Sequence, residues 1–414
     1  MRGPLASLRN RNFRYLMAGQ VAHSAAFWMD VVARNWLVWG LTEGFAQRAL
    51  MLTLTNLIRA VPLLALGPVG GVVADRFDRK VVLFWCQLAT ILVFFWMGLL
   101  VTLHVATYWN VVLPIFLGGV AIAFNNPART SMVPELVPRP EVNNAISLLQ
   151  TAQSVPQFFG PAIAGFLIPL GVEVPFYVMS GIYVFALVST QFIQLEKAQQ
   201  PQKLAASAYS HLKEGLVYVR TQRPVFLALM LSFVPMFLGM PYVSLLPIFA
   251  DKVFHVGGSG LGVLNAAGGI GAILGAGMAA VVGRSQRYWP LALGSVLVFG
   301  LSLVGFGGVS ILGVGLIFMF VAGATTALLR VVITSMLLEN TPKEMHGRVM
   351  SMFLLNMALQ PAGSIIAGSI TEVLGVQFAV MLLGGACAAS APVFYVVAPR
   401  LTAGRRVEFQ PAKR

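Results

Sequence analysis

Apolar residues run through this chain in long unbroken stretches, and polar residues gather in the short connections between them. Each stretch is about 20 residues long, the length a helix needs to cross the hydrocarbon core of a bilayer. The stretches are rich in Gly, Ala, Leu, Met and Phe. They lack the apolar/polar alternation of barrel strands. Helices and closed barrels alone pair every backbone amide internally in lipid, so the stretches are read as helices. Twelve spans are predicted: 14–41, 49–73, 81–103, 108–128, 143–169, 174–194, 224–250, 259–282, 288–307, 311–337, 348–374 and 377–398. The longest polar gap, 195–223, divides them six and six. The expected domains are therefore 1–194, a linker 195–223, and 224–414 with a short tail. Within the linker, Tyr209 to Arg220 has the pattern of a short amphipathic helix on the membrane surface.

One connection stands out. Gly70-Gly71-Val72-Val73-Ala74-Asp75-Arg76-Phe77-Asp78-Arg79-Lys80 sets five charges within six residues, between the second and third spans. It reads as a tight turn at a membrane surface, with glycines that let two helices approach closely.

Composition agrees with a lipid solvent: 57% of residues are hydrophobic and 10% charged, against about 25% charged in soluble domains. The net charge of +14 would suggest a nucleic-acid partner in a soluble protein. Here 23 of the 28 basic residues fall in the termini and alternate connections, and only Arg48 and Lys252 fall in the others. That bias puts both termini in the cytoplasm and excludes nucleic acid as the reason for the charge. The expected location is a bacterial-type cytoplasmic membrane, crossed many times. Cys86 and Cys387 lie inside apolar runs and are expected to be free and structural. The basic start leads into a first span with no small-residue cleavage site, so that span is expected to be retained.

An internal repeat accompanies the six-and-six division. With a shift of 204 residues, Ser131, Met132, Glu135, Pro138 and Ser147 fall on Ser335, Met336, Glu339, Pro342 and Ser351. With one further gap, Ala164-Gly165 falls on Ala367-Gly368. Six spans per half is an even number, so the halves repeat in parallel.

These residues carry a family resemblance. The turn with Asp75-Arg76 and Arg79-Lys80 resembles the loop between the second and third helices of major facilitator superfamily transporters, with Asp78 where glycine is commonest. Gly283-Arg284-Ser285-Gln286-Arg287 is a weaker copy between the eighth and ninth spans. Asn126-Pro127-Ala128-Arg129, Val133-Pro134-Glu135-Leu136 and Gly347-Arg348-Val349-Met350-Ser351 are similar to the branch containing the enterobactin exporter and bacterial drug-efflux proteins. The resemblance implies an all-α integral membrane protein of two parallel six-helix bundles around one shared chamber. It also implies that Asp75 sits beneath the N-terminus of the eleventh span, near Arg348. A carboxylate is stabilised there by the helix dipole. Arg79 and Arg129 are expected to join that cluster as a gate; Arg76 and Lys80 are expected to be solvated loop charges.

Candidate pathway residues follow from spacing. Gln20, His23, Phe27, Asp30 and Arg34 recur at steps of three and four, and so share one face of the first span. A polar stripe on a membrane helix is expected to face an interior cavity. Of the 14 acidic residues, Asp30 alone lies well inside a span. It is either a proton carrier or one half of a static pair with Arg34 or Arg59. Arg59, with Asn56 one turn before it, can receive a carboxylate by a bidentate contact. Arg330 can do likewise or reach toward the interface. Ser147, Gln150, Ser154 and Gln157 share a face of the fifth span, with Gln153 beside them; Asn356, Gln360 and Ser364 mark the eleventh. These either line the chamber or bond neighbouring helices, and Gln153, Gln157, Asn356 and Gln360 join the substrate-binding candidates. Pro156, Pro161 and Pro361 are expected to bend these two spans. Gly271 and Gly275 form a small face for close helix packing.

No P-loop, metal cluster or nucleophile–base set is found in the sequence, so neither an enzyme nor a cofactor is expected. The expected function is secondary active transport: proton-coupled export of a small amphipathic or apolar compound by a monomer that rocks about its chamber. Its partners are that substrate, protons and the bilayer. The alternatives are movement of an anionic solute or a lipid, and a membrane sensor or scaffold that transports nothing.

Overall fold

The computed structural model describes residues 6–138, 141–194, 218–282, 288–342 and 345–402. The amphipathic stretch at 209–217, the loop 283–287 and the side chain of Asp75 lie outside the described residues. Among those residues the secondary structure is helical, without strands.

Helices occupy all twelve predicted positions. The first four are α1 (Arg11–Leu41), α2 (Arg48–Arg76), α3 (Arg79–Thr102) and α4 (Tyr108–Ser131). The fifth span is two helices, α5 (Val142–Ser154) and α6 (Pro156–Leu167), and the sixth is α7 (Val174–Gln191). The seventh combines α8 (Arg223–Val234), a π-helical turn over Pro235–Gly239 and α9 (Tyr242–Ile248). Then come α10 (Gly257–Val282), α11 (Tyr288–Gly307) and α12 (Leu312–Glu339). The eleventh span is α13 (His346–Leu355), a 3-10 turn and α14 (Gln360–Leu374); α15 (Val376–Thr402) is the twelfth.

Local chemistry sets the helix starts. Asn10 caps α1 by accepting from the amides of Asn12 and Phe13 at 2.8 and 3.2 Å. Asp78 caps α3 through the Lys80 amide at 2.8 Å, so this residue of the charged turn starts a helix. Thr107 and Asn110 cap each other at the start of α4. Breaks come where proline removes a donor, before Pro156 and before Pro361.

Nine helical stretches among the described residues are long and apolar enough to cross a membrane. The first, fifth and eleventh predicted spans fall outside that set. The first is diluted by its own polar stripe, and the other two are interrupted within their length.

The chain forms two compact units, each with its own packing. The first holds the described residues up to 194 together with Val243–Gly269 and Gly368–Val373. The second holds the described residues from 218 to Tyr242, Ile270–Ala367 and the chain from Leu374 on. One border falls within the predicted linker 195–223, and two later segments, 243–269 and 368–373, join the first unit besides. The reason is close packing of glycines. A Cβ on Gly165 would meet the backbone of Gly262, one on Gly269 the Phe158 carbonyl, and one on Gly368 the side chain of Thr53. These contacts draw the two later segments into the first unit.

Within the first unit α2 packs on α4, α3 on α4 and α7, and α1 on α6 and α7. Phe13, Leu16, Leu83, Met132, Val133 and Leu149 belong to the core at its Arg79 end. Within the second unit α11 packs on α12 and α15, and α8 on α12 and α15. The third-with-fourth and third-with-sixth pairings of the first unit thus recur as ninth-with-tenth and ninth-with-twelfth. The loop glutamates repeat as well. Glu135 pairs with Arg79 at the start of α3, and Glu339 accepts from the Tyr288 hydroxyl at the start of α11, 2.7 Å away. Gly271 and Gly275 press against the α12 backbone at Phe320 and Ala324, as the small-residue face predicts. Trp85, Trp109 and Phe185 point outward, which suits a lipid solvent.

Candidate functional site

The polar stripe of α1 is the centre of the first unit. Asp30 is buried, and its Oδ2 accepts from Arg59 Nη1 and from Arg34 Nε at 3.3 Å. Arg34 spans the gap to α2 and donates to Asn56 Oδ1 at 3.1 Å. The Arg59 guanidinium lies over the Phe27 ring, 4.6 Å from its centroid. Two guanidiniums therefore share one carboxylate, and the trio carries one net positive charge. Five helices enclose it in a cavity of about 20 Å³, room for roughly one water. Thr90 and Met97 of α3, Pro114 and Ile122 of α4, and Tyr183 of α7 complete the lining.

Two turns back along α1 from Asp30, His23 Nδ1 and the Tyr183 hydroxyl are hydrogen-bonded at 2.7 Å, and Gln20 donates to Ser24 at 2.9 Å. The stripe is predicted to face a chamber shared by two bundles. Its residues bond to one another and to α2 and α7, all in the first unit. The physical reason is that each polar group in lipid takes the nearest available partner.

Arg129 departs furthest from expectation. It does not join Arg79. It is 1% exposed, with Nε 3.4 Å from Asn125 Oδ1, and Nη1 and Nη2 have no hydrogen-bond partner among the described residues. It packs against Gly19, where a Cβ would come within 3.1 Å of Nη1. Glycine at 19 thus makes the space for the guanidinium. Arg79 holds the loop, bonding the Ala74 and Ser131 carbonyls at 3.2 and 3.1 Å and pairing with Glu135.

The remaining candidates are scattered. Asn356 is buried and donates to Ser232 at 2.5 Å, a helix-to-helix bond within the second unit. Gln157 and Gln360 are half-buried; Gln153 and Arg330 are exposed. Arg348 donates to the Met345 sulfur at 3.0 Å. Sequence reasoning missed Tyr183, whose lone hydroxyl sits in an apolar span, and Asn125, whose neighbour Asn126 was quoted instead. It also missed Trp39, which donates to the distant Asp251, and Glu372, which accepts from the amides of Ala49 and Leu50. No spacing rule connects such residues.

Comparison with known proteins follows from this architecture. Residues 2–414 match the family described as transmembrane secretion effector. The MFS-type transporter YfiS of Bacillus subtilis is 26% identical over 399 residues, covering 89% of each chain. Macrolide efflux protein A of Streptococcus pyogenes is 25% identical over 84% of this chain and 87% of its own. The staphyloferrin A transporter of Staphylococcus aureus is 25% identical over 90% of this chain and 93% of its own. In fold, a bacterial homologue of the human lysosomal transporter Spinster superposes with a TM-score of 0.77 at 14% identity, over 97% of this chain and 99% of that one.

Proposed function

Since the chain belongs to the transmembrane secretion effector family of major facilitator transporters, we propose that it exports a small amphipathic compound by alternating access, driven by proton entry. Its family and relatives are transporters, not enzymes. We place it in the cytoplasmic membrane of a bacterium, as a monomer with both termini inside, because basic residues crowd the termini and alternate loops.

One observation carries the coupling: Asp30 holds both Arg34 and Arg59 inside the membrane. A proton arriving on the Asp30 carboxylate removes the charge that restrains both. Arg59 is then free to leave its place over Phe27, and the packing of α1 against α2 changes. Deprotonation resets the pair. Phe27 offers the apolar contact for substrate; Gln20, His23, Asn56, Gln153, Gln157, Arg330, Asn356 and Gln360 are the polar candidates along its route. Asp75, Arg79 and Arg348 guard the inner end, and Arg129 supports α1 from within. The efflux relatives support the outward direction.

A second reading, movement of an anionic solute, is favoured by the cation excess. Arg34 and Arg59 share the one carboxylate of Asp30, and Arg129 is a further buried cation of the first unit. Flux of a radiolabelled macrolide and of an anionic amphiphile into everted vesicles, with and without a pH gradient, separates the two. Macrolide uptake that collapses with the gradient supports proton-driven export. Gradient-independent uptake of both compounds refutes it.

A further inference from the structure

The Arg129 guanidinium takes no part in the coupling proposed above. It stands among four helices of the first unit. On α4, Asn125 is one turn before it and, like it, 1% exposed. From α1, Gly19 leaves it space: a Cβ there would come within 3.1 Å of Arg129 Nη1, 3.5 Å of the Ala186 carbonyl oxygen and 3.7 Å of Thr190 Oγ1. Thr190, on α7, donates to that Ala186 carbonyl at 2.9 Å and accepts from Gln87 Nε2 of α3 at 3.0 Å. Gln87 is fully buried.

The hydrogen bonds of this cluster do not close. Nη1 and Nη2 of Arg129, Nδ2 of Asn125 and Oε1 of Gln87 are all buried without a partner among the described residues. The two Nη atoms bring four N–H donors and Asn125 Nδ2 two more, against one acceptor on Gln87. Buried groups of this kind are nearly always satisfied in a folded protein. Water can answer some of the donors, but it cannot balance the charge. A guanidinium this deeply buried calls for a counter-ion. The acidic groups whose charge bears most on Arg129 are the Tyr183 hydroxyl and the Cys86 thiol, types that are uncharged at neutral pH. The Asp30 carboxylate is already shared by Arg34 and Arg59.

The geometry points to a resident anion. A single chloride-sized ion is held inside the first unit by the Arg129 Nη groups and Asn125 Nδ2, and a water carries its hydrogen bonding on to Gln87 Oε1. A monatomic ion suits the spacing. Nη1, a carbonyl and a hydroxyl crowd one point beside Gly19 at 3.1–3.7 Å, and a tetrahedral oxyanion is broader than that. The ion neutralises the guanidinium on which α1 packs, so it is a structural counter-ion and not cargo.

The test uses purified full-length protein in detergent, with chloride replacing gluconate at constant ionic strength. The thermal midpoint of the parent should rise and saturate, by about 3–6 °C at roughly ten times the half-saturating chloride. Arg129→Met removes the cation, and its midpoint should not respond to chloride. In gluconate it should melt above the parent, and chloride should narrow that gap from the parent's side. Gln87→Glu places a carboxylate in the cluster as a built-in counter-ion and should lose the chloride response too. Binding of radiolabelled chloride, followed by equilibrium dialysis, should saturate in the parent and vanish in both variants. A parent that neither binds chloride nor responds to it overturns the proposal, as does a chloride response that either variant retains. Should one variant not fold, the other decides together with the parent. Neither measurement uses a substrate or a pH gradient, so the outcome is independent of the export reading.

Discussion

Asp30→Asn is the sharpest perturbation of the site. It preserves volume and one hydrogen-bond acceptor and removes the carboxylate's charge. Side-chain exposures are 6% for Asp30, 3% for Arg34 and 12% for Arg59, so neither cation gains water in exchange. Breaking a buried pair costs about 3–5 kcal/mol, chiefly because a charge is left uncompensated. Arg34 retains Asn56 and Arg59 retains the Phe27 ring, which places the loss near the lower bound, about 3 kcal/mol. At roughly 2–4 °C per kcal/mol, the thermal midpoint of purified protein should fall by about 6–12 °C. Arg59→Gln combined with Asp30→Asn should cost less than the sum of the two, since the second change removes the cation that the first stranded. Gradient-driven flux should vanish in Asp30→Asn while counterflow exchange survives. A midpoint within a degree of the parent would falsify the buried pair. Full gradient-driven flux would remove Asp30 from coupling.

The other expectations concern separate parts of the molecule. Arg129→Met should raise the midpoint, since exchanging a buried charge for an apolar side chain is stabilising by about 1–4 kcal/mol, yet lower transport; a lowered midpoint would reveal a partner for the guanidinium. Gly271→Val would drive a side chain into the Phe320 carbonyl, so little monodisperse protein should emerge from size-exclusion chromatography. Glu135→Gln should shift the midpoint by no more than the 0–1 kcal/mol or so of a partly exposed pair, because Arg79 keeps its bonds to the Ala74 and Ser131 carbonyls.

Much of the architecture was legible because lipid leaves so few choices. A run of apolar residues must become a helix, and its length is set by the bilayer. The helices of the second, third, eighth and ninth spans start within two residues of the predicted positions. The stripe from Gln20 to Arg34 was legible from its spacing, and so were Arg34 and Arg59 as the cations that Asp30 meets. What spacing cannot reveal is which way a lone polar group turns. Arg129 sits at the end of its predicted span and reads as a loop charge. The absence of a side chain at Gly19 draws it inward instead. Glu372 reads as an end-of-span residue, and its partners on α2 are amides that every residue possesses. Interruptions were read where proline stands beside polar residues, at Pro156 and Pro361; the π-helical turn that begins at Pro235, in a stretch otherwise apolar throughout, was not read.

The charge arithmetic of the first unit links the two functional readings. In the resting arrangement the Asp30 trio carries one excess positive charge; a proton on Asp30 makes it two, in a cavity without bulk water. Bringing that second charge in is unfavourable unless Arg59 swings away or a negative group arrives. A substrate bearing a carboxylate would therefore help the proton bind, and the two would travel together. A cationic amphiphile would oppose the proton, and the two would alternate. On the proposed coupling the same residues would support exchange for one class of compound and co-transport for the other, with the sign of the substrate's charge deciding between them. Flux of a cationic and of an anionic probe under one fixed pH gradient should run in opposite directions. Movement of both in the same direction would show that the trio does not set the coupling.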